Sequence, residues 1–352
     1  MKETVVVGMS GGVDSSVAAY LLKEQGYQVI GVTMHLFDNA EDNSCCGVTG
    51  IEDARRVAAV LDIPFYVMNF KEVFQSSVMD YFAEEYQRGR TPNPCIACNR
   101  YVKWQALLEK SRGIGAQYLA TGHYARVGRL SNGRYAVMNS VTNTKDQTYA
   151  LYNLTQEQLA HTLMPVGEYD KEQIREIAKT QRLPVAAKPD SQDICFVPDH
   201  DYAGFVCRHT KAVYGPGNFV GSDGTVLGEH KGIIHYTVGQ RKGLGISFGK
   251  PMYVGALNPA ANEVVLVEEQ ELWTQALHAE QVNYMAVASF EPGQRMLAKI
   301  RYSHKGEFCR VEYADEQQVK INFEKPVRAV TPGQAVVFYD EDVVLGGGVI
   351  AG

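Results

Sequence analysis

The sequence contains no apolar run that approaches the ~20 residues of a membrane-spanning helix. The first residues, Met1 to Val7, lead directly into a buried-strand pattern and carry neither the basic segment nor the small-residue cleavage site of a secretory signal. Internal repeats and low-complexity segments are also missing. From these absences we expect a cytoplasmic protein with no membrane partner, outside the secreted and fibrous classes.

Basic residues are in the minority, since 34 Lys and Arg against 40 Asp and Glu give a net charge of −6. This balance argues mildly against general affinity for nucleic acid, which depends on basic surface. Local basic segments remain at 231–250 and 299–305, and charge alone favours solvated loops there over phosphate contacts. The seven cysteines are odd in number and follow no secretory signal, which argues against a structural disulfide framework.

A chain of 352 residues is long enough for two or three domains. Its first part alternates strand and helix patterns, which predicts an α/β fold with a doubly wound parallel sheet. The predicted strands are 4–7, 29–34, 65–68 and 117–120, and the predicted helices are 13–25, 51–61, 155–162 and 171–180. Ligands of such sheets bind at the carboxyl ends of the strands.

After about Pro198 the composition changes to dense glycine and short β-rich runs separated by turn signals. The predicted strands are 233–238, 252–257, 264–267, 298–301, 309–313, 319–323, 335–339 and 343–350. We therefore expect two small β-rich modules, the last a β-barrel. The predicted domains are 1–205 for the catalytic domain, 206–277 for the central module and 278–352 for the barrel.

The sharpest motif is a glycine- and serine-rich loop between the first strand and the first helix. It comprises Gly8, Met9, Ser10, Gly11, Gly12, Val13, Asp14 and Ser15. Glycines allow close backbone approach to a phosphate, and the start of a helix favours an anion. No lysine follows the glycines, so the loop is not a Walker A motif. Asp14 suits a polyphosphate site only with Mg²⁺ in between.

Two cysteine sites stand out, Cys95-Ile96-Ala97-Cys98 after a proline-rich loop, and Cys195 after Ser191-Gln192-Asp193. The first precedes a predicted helix over 100–110, and a helix N-terminus favours a thiolate. One C-x-x-C pair supplies only half of a four-ligand zinc site, so catalytic use is favoured over metal binding or simple burial. The polar neighbours of Cys195 predict an exposed loop. We interpret Cys45, Cys46, Cys207 and Cys309, which carry no motif, as structural.

The phosphate loop resembles that of the ATP pyrophosphatases, which attach AMP to a carbonyl oxygen. Over nearly its whole length the chain resembles one family among them, the bacterial tRNA-specific 2-thiouridylases (MnmA). Besides the loop, the matching segments are Thr91 to Pro94 with Cys98-Asn99, Ala120 to Arg126, Lys145 to Gln147, Ser191 to Phe196 and Tyr236 to Ile246.

The resemblance implies that Gly8 to Ser15 bind the phosphates of ATP, that Met34 contacts the adenine and that Gly122 lines the nucleotide site. It further implies target-base contacts by Asn93, Pro94 and Cys95, and tRNA contacts by Lys145, Asp146, Gln147, Arg301 and Tyr302. From the residues alone, Met34 fits a core position equally well, and Lys145-Asp146 fits a charge pair at a helix start.

The implied reaction is adenylation of the C2 oxygen of the wobble uridine in the anticodon loop, followed by sulfur delivery. Cys195 carries the sulfur as a persulfide, and Cys98 attacks that persulfide to leave a Cys98–Cys195 disulfide. The sulfur comes from a persulfide relay protein, a cysteine desulfurase or sulfide. ATP and Mg²⁺ are the implied cofactors.

The sequence departs from the family pattern at Cys95, where the family has an aspartate. Three cysteines, Cys95, Cys98 and Cys195, are enough to hold a [4Fe–4S] cluster with one iron left open. The cluster and the persulfide relay therefore stay as alternatives. Two other functions are kept in view. One is a small-molecule adenylating ligase similar to argininosuccinate synthetase, and the other is a non-catalytic tRNA-binding protein.

Overall fold

A computed structural model describes residues 2–38, 48–142, 145–190, 194–247 and 249–351. The chain forms two compact units. Unit 1 consists of Met1–Met79, Pro94–His200 and Asp342–Leu345, and unit 2 of Asp80–Asn93, Asp201–Glu341 and Gly346–Gly352. No helix in the described ranges has the length and apolarity needed to cross a membrane.

Unit 1 contains a parallel sheet with the strand order β3-β2-β1-β4-β7. Its strands are β1 (Thr4–Gly8), β2 (Gln28–His35), β3 (Phe65–Asn69), β4 (Tyr118–Ala120) and β7 (Thr162–Leu163). Strands β5 (Ala125–Arg129) and β6 (Tyr135–Asn139) form an antiparallel hairpin. The predicted α/β class with a parallel sheet is confirmed, and the hairpin and β7 were not predicted.

Helices occur in both units, and two of them, the fourth and the ninth in chain order, belong to unit 2. They are α1 (Val13–Glu24), α2 (Val48–Val60), α3 (Lys71–Phe74), α4 (Tyr81–Gln87), α5 (Pro94–Ala97), α6 (Leu108–Gly113), α7 (Gln156–Ala160), α8 (Lys171–Thr180) and α9 (Tyr202–Thr210). Single helical turns occur at Gln75–Asp80, Thr148–Leu151, Pro165–Glu168, Ile233–His235 and Glu269–Leu272, and a longer π-helical stretch occupies Cys98–Leu107.

Helix α1 forms because apolar side chains recur at helical spacing, and it buries Val13, Val17, Leu21 and Leu22 against the sheet. It starts at Val13, within the phosphate loop, and the loop follows the carboxyl end of β1, whose three central valines are buried. The core of unit 1 therefore fixes both ends of the loop.

The helix predicted over 100–110 begins earlier, because α5 starts at Pro94 and runs into the π-helical stretch and α6. Proline is favoured in the first helical turn, where its missing N–H costs no hydrogen bond. The assignment of Cys98 to a helix N-terminus is thus wrong, and Cys95 occupies that first turn instead.

Unit 2 contains a four-stranded sheet with the order β10-β11-β8-β9. Its strands are β8 (Gly217–Gly221), β9 (Val226–His230), β10 (Tyr253–Asn258) and β11 (Glu263–Val267). The strand predicted at 233–238 is wrong, because Ile233–His235 is a helical turn. Ile233 and Ile234 are both buried there, which a strand that alternates its faces could not achieve with one buried side.

An antiparallel barrel of six strands has the order β12-β15-β14-β13-β16-β17 and is closed by pairing of β12 with β17. It belongs to unit 2 except for residues 343–345 of β17, which are assigned to unit 1. The strands are β12 (Trp273–Tyr284), β13 (Arg295–Lys299), β14 (Glu307–Ala314), β15 (Gln318–Arg328), β16 (Ala335–Asp340) and β17 (Val343–Ile350). Closure removes the exposed strand edges that favour aggregation. The predicted barrel is confirmed, whereas the boundaries 1–205, 206–277 and 278–352 stay a prediction.

Candidate functional site

A cavity of about 360 Å³ lies in unit 1 at the carboxyl end of β1. Nine of the residues predicted for the nucleotide line it: Gly8, Met9, Ser10, Gly12, Val13, Asp14, Ser15, Met34 and Gly122. Lys145 and Gln147, predicted for tRNA, line the same cavity. The structure thus brings residues from the loop, from β2, from the segment after β4 and from distant parts of the chain together at the edge where ligands of parallel sheets bind.

The phosphate loop owes its shape to Gly11, which has a φ of +70°. A side chain at Gly11 would be strained, and its Cβ would lie 2.3 Å from the carbonyl oxygen of Gly50. The hydroxyls of the loop bind the loop itself, since Ser15 Oγ accepts from the Ser10 N–H at 3.3 Å and Ser16 Oγ donates to the Gly12 carbonyl at 2.7 Å. The loop is therefore a preformed turn rather than a flexible connection.

Gly122 follows β4 and packs directly on the loop. A Cβ at this position would meet backbone atoms, the Ser15 nitrogen at 2.5 Å and the Asp14 carbonyl carbon at 2.7 Å. Neither atom can rotate away. The absence of a side chain at Gly122 thus lets the end of β4 approach the start of α1.

A network of charged side chains surrounds Asp14. Its Oδ1 accepts hydrogen bonds from the Tyr124 hydroxyl at 2.8 Å and from Lys171 Nζ at 2.7 Å. Lys171 also pairs with Asp190 at 2.8 Å. Burial, together with the charge of Asp14, raises the pKa of Tyr124, which keeps this phenol protonated as a donor.

Asp190 is the centre of that network, since Lys145 at 2.8 Å and Arg175 at 3.1 Å bind it in addition to Lys171. Although burial acts to raise it, the hydrogen bonds from Lys145 and Lys171 bring the pKa of Asp190 down to about 2. Three cations share this one carboxylate. The surroundings therefore hold an excess of positive charge, as a bound polyphosphate requires.

Lys103 and His123, which sequence reasoning did not single out, also line the cavity. Lys103 Nζ donates to Asn99 Oδ1 at 2.9 Å, and the amide of Asn99 donates to the Ala150 carbonyl at 2.8 Å. Desolvation of the ring by the surrounding protein, together with the Lys103 ammonium, holds the pKa of His123 well below its usual range. His123 is therefore neutral at pH 7.

Cys95 is exposed, and Cys98 and Cys195 are partly exposed. Cys195 lies in a turn that the Val197 N–H closes onto the Ile194 carbonyl at 2.9 Å, and buried Phe196 packs edge-on against Phe74. Ser191 to Asp193 lie outside the described residues, as do Cys45 and Cys46. In the described ranges no three His, Cys, Asp or Glu side chains are arranged to hold a metal ion.

The remaining predicted residues have varied surroundings. Asp146 is engaged with its own chain, because it accepts hydrogen bonds from Thr148 N at 3.2 Å and Ser140 N at 3.2 Å. In unit 2, Arg301 Nη1 donates to the Arg328 carbonyl at 3.0 Å, and Tyr302 is 53% exposed. Cys309 is buried, which together with the charge of Glu324 raises the pKa of its thiol to about 12.

Comparisons with known proteins cover nearly the whole chain. Family models match residues 3–199 as a tRNA methyl transferase HUP domain, 203–268 as a tRNA methyl transferase PRC-barrel domain and 274–350 as an aminomethyltransferase beta-barrel domain. The chain is 61% identical to the tRNA-specific 2-thiouridylase MnmA of Lachnoclostridium phytofermentans, over 98% of the chain and 99% of that protein. It is 54% identical to the protein of the same name from Clostridioides difficile, over 99% of the chain and 98% of that protein.

Solved structures give a weaker likeness. The U34-tRNA thiolase NcsA from Methanococcus maripaludis, solved with its [4Fe-4S] cluster, is 15% identical to the chain. The match covers 60% of this chain and 72% of that one, with a TM-score of 0.36. A likeness this low assigns no role to any residue.

Proposed function

Because the chain belongs to the tRNA-specific 2-thiouridylase family, we propose that it is an ATP-dependent tRNA-uridine 2-sulfurtransferase. It replaces the C2 oxygen of the wobble uridine, position 34, by sulfur and so forms 2-thiouridine. The observation that carries this proposal is the cavity that assembles the phosphate loop, Met34 and Gly122 in a chain with full-length similarity to the family.

ATP supplies the activating step. The C2 oxygen of uridine attacks the α-phosphorus, the bond to the bridging oxygen breaks, and pyrophosphate leaves with the electron pair. The loop residues Gly8 to Ser15 hold the phosphates, and Met34 contacts the adenine. Asp14 and Asp190 are the carboxylates that fit Mg²⁺, which in nucleotide sites takes one or two carboxylates and the phosphates. Both are now bound by Lys171, so Mg²⁺ binding there would displace that ammonium.

The tRNA is bound through its anticodon loop, whose bases can be splayed out at low cost. Asn93, Pro94 and Cys95 contact the target base, and Lys145, Asp146, Gln147, Arg301 and Tyr302 contact the tRNA. The exposed ring of Tyr302 beside Arg301 suits stacking on a base next to a phosphate contact. Lys145 and Gln147 line the nucleotide cavity, which supports a place for them where the tRNA meets ATP.

Sulfur arrives on Cys195 when its thiolate attacks the terminal sulfur of a persulfide on a donor protein, and the donor's cysteine thiolate leaves. The terminal sulfur bonds to C2 and AMP leaves. The Cys98 thiolate then attacks the Cys195 sulfur, so the two thiols are oxidised to a disulfide as the transferred sulfur is reduced. An external thiol must reduce that disulfide before the next turnover.

The function is tested with unmodified tRNA, ATP and a persulfide donor (a cysteine desulfurase with cysteine), followed by mass spectrometry of the nucleosides and assay of AMP. We expect 2-thiouridine at position 34 and release of AMP only when tRNA is present. AMP release that depends on a small carboxylate or amine instead of tRNA would identify a small-molecule ligase. Binding of tRNA without AMP release would support the alternative of a non-catalytic tRNA-binding protein.

A [4Fe–4S] cluster on Cys95, Cys98 and Cys195 is the alternative to the relay. These thiols do not form a metal-holding group among the residues that the structure describes, so we route no step through a cluster. Under the relay, anaerobically purified protein contains no iron. Cys95→Ala, and Cys95→Asp with the carboxylate typical of the family, then keep thiolation within a few-fold. Iron and sulfide analysis with activity assays checks this. Brown protein that loses colour and activity in Cys95→Ala would contradict the relay.

A further inference from the structure

The phosphate loop lacks the lysine that follows the glycines in a Walker A loop, where it binds the terminal phosphates. In this fold a lysine reaches the loop from a distant part of the sequence. Lys188 Nζ lies 3.1 Å from the carbonyl oxygen of Gly11, and Lys188 lines the nucleotide cavity. The chain thus places a cation beside the loop that the motif itself does not encode.

Lys188 has a carboxylate partner, Asp53 in α2, at 2.7 Å. The Asp53 side chain is only 9% exposed and also binds Arg56. Although burial acts to raise it, hydrogen bonds from Lys188 and Arg56 lower the pKa of Asp53, so this carboxylate is ionised at pH 7. Asp53 keeps one of its two cations when Lys188 moves to another anion.

Two other lysines near the loop, Lys145 and Lys171, have carboxylate partners. Lys171 bridges Asp14 and Asp190, and Lys145 pairs with Asp190, so both act on carboxylates. Lys188 contacts the backbone of the loop, at the turn where Gly11 has its positive φ. Of these three lysines it is the one placed on the phosphate-binding turn itself.

We propose that Lys188 binds the pyrophosphate portion of ATP and stabilises the charge that develops on pyrophosphate as it leaves, and that Asp53 neutralises the ammonium until ATP binds. This inference rests on the proposed function, because it assigns a group to the adenylation step. A compact ammonium suits this task, since lysine acts on phosphates as a point charge. Asp53 competes with the phosphate for the same ammonium.

The alternative is a purely structural role, in which Lys188 acts as a clamp: it links the loop to α2 and does not contact phosphate. The two roles predict different effects of Asp53→Asn. Either Lys188→Met or Asp53→Asn would break such a clamp, so both variants would weaken the binding of every ligand of the cavity. If Lys188 binds phosphate, Asp53→Asn removes only its competitor.

The test is calorimetric titration of the full-length protein with ATP, AMP and inorganic pyrophosphate, each with Mg²⁺. Lys188→Met is expected to weaken the binding of ATP and pyrophosphate about ten- to one-hundred-fold, because one charged hydrogen bond is lost. The affinity for AMP is expected to stay within about two-fold of the parent. Lys188→Arg is expected to recover part of that loss. Asp53→Asn is expected to bind pyrophosphate as tightly as the parent or more tightly. Thermal melting confirms that each variant is folded.

Equal weakening of all three ligands by both Lys188→Met and Asp53→Asn would establish the clamp and overturn the proposal, as would an unchanged affinity for pyrophosphate in Lys188→Met. A parent protein that binds neither ATP nor pyrophosphate would overturn the proposal and the adenylation step together. If the parent binds pyrophosphate through Lys188 and yet forms no 2-thiouridine, the proposed function fails while the role of Lys188 stands.

Discussion

Cys98→Ser and Cys195→Ser are each expected to lower 2-thiouridine formation about a thousand-fold or more, and to leave tRNA-dependent pyrophosphate release within a few-fold of the parent. A serine hydroxyl neither carries a persulfide nor attacks one, so removal of a covalent nucleophile stops the sulfur step. Adenylation depends on the cavity of the phosphate loop, which neither cysteine lines. The two chemical steps should therefore separate.

The measurement is a single-turnover assay that follows pyrophosphate and 2-thiouridine in the same reaction. Cys207→Ser is the matched control, because Cys207 is partly exposed on α9 and has no assigned role. Full thiolation by either serine variant would remove that cysteine from the mechanism. Parallel loss of pyrophosphate release would mean that the cysteines act in adenylation or hold the site together.

The parallel sheet was predictable because each of its strands near the site is a short apolar run before a glycine or a polar loop. Val5, Val6 and Val7 are fully buried, and the apolar run that ends at Gly8 is too short to form a helix. The barrel was predictable for a related reason, because buried and exposed side chains alternate along its strands. In β14, for example, Cys309 and Val311 are buried and the residue between them is exposed. Local patterns were sufficient where one face of an element is buried.

Local patterns failed where tertiary contacts decide the conformation. Gly232 adopts a φ of +123°, and the helical turn that follows it buries both Ile233 and Ile234, although their sequence favours a strand. The helix begins at Pro94, before Cys98, because proline fits the first helical turn. In the sequence, the proline-rich loop signal outweighs this preference.

The candidate site was predictable in its loop but not in its charges. Gly8 to Ser15 form one continuous motif, whereas Lys103, Lys188 and Asp190 join it at the cavity only through the fold. Lys171 likewise reaches Asp14 and Asp190 from a distant part of the sequence. A single lysine has no spacing that distinguishes a ligand contact from a solvated surface charge. Family resemblance supplied Met34 and Gly122, and the structure adds the reason for Gly122.

Gly122→Ala is expected to lower the rate of tRNA-dependent pyrophosphate release about a hundred-fold, because a displacement near 1 Å of a positioning element has this effect. The new Cβ would lie 2.5 Å from the Ser15 nitrogen and 2.7 Å from the Asp14 carbonyl carbon, so the start of α1 must move. That movement shifts Asp14 and Ser15 together. Overpacking of this kind costs about 1–3 kcal/mol of the free energy of unfolding.

Gly113→Ala is the matched control. Gly113 is the last residue of α6, and a Cβ there would have no heavy atom within 4 Å. Alanine at a helical position of this kind is neutral or stabilises the fold by about 0.5–1 kcal/mol. Pyrophosphate release, ATP affinity and thermal unfolding are measured for both variants. A Gly122→Ala protein with the ATP affinity and rate of Gly113→Ala would show that close packing of β4 on the loop is dispensable for adenylation.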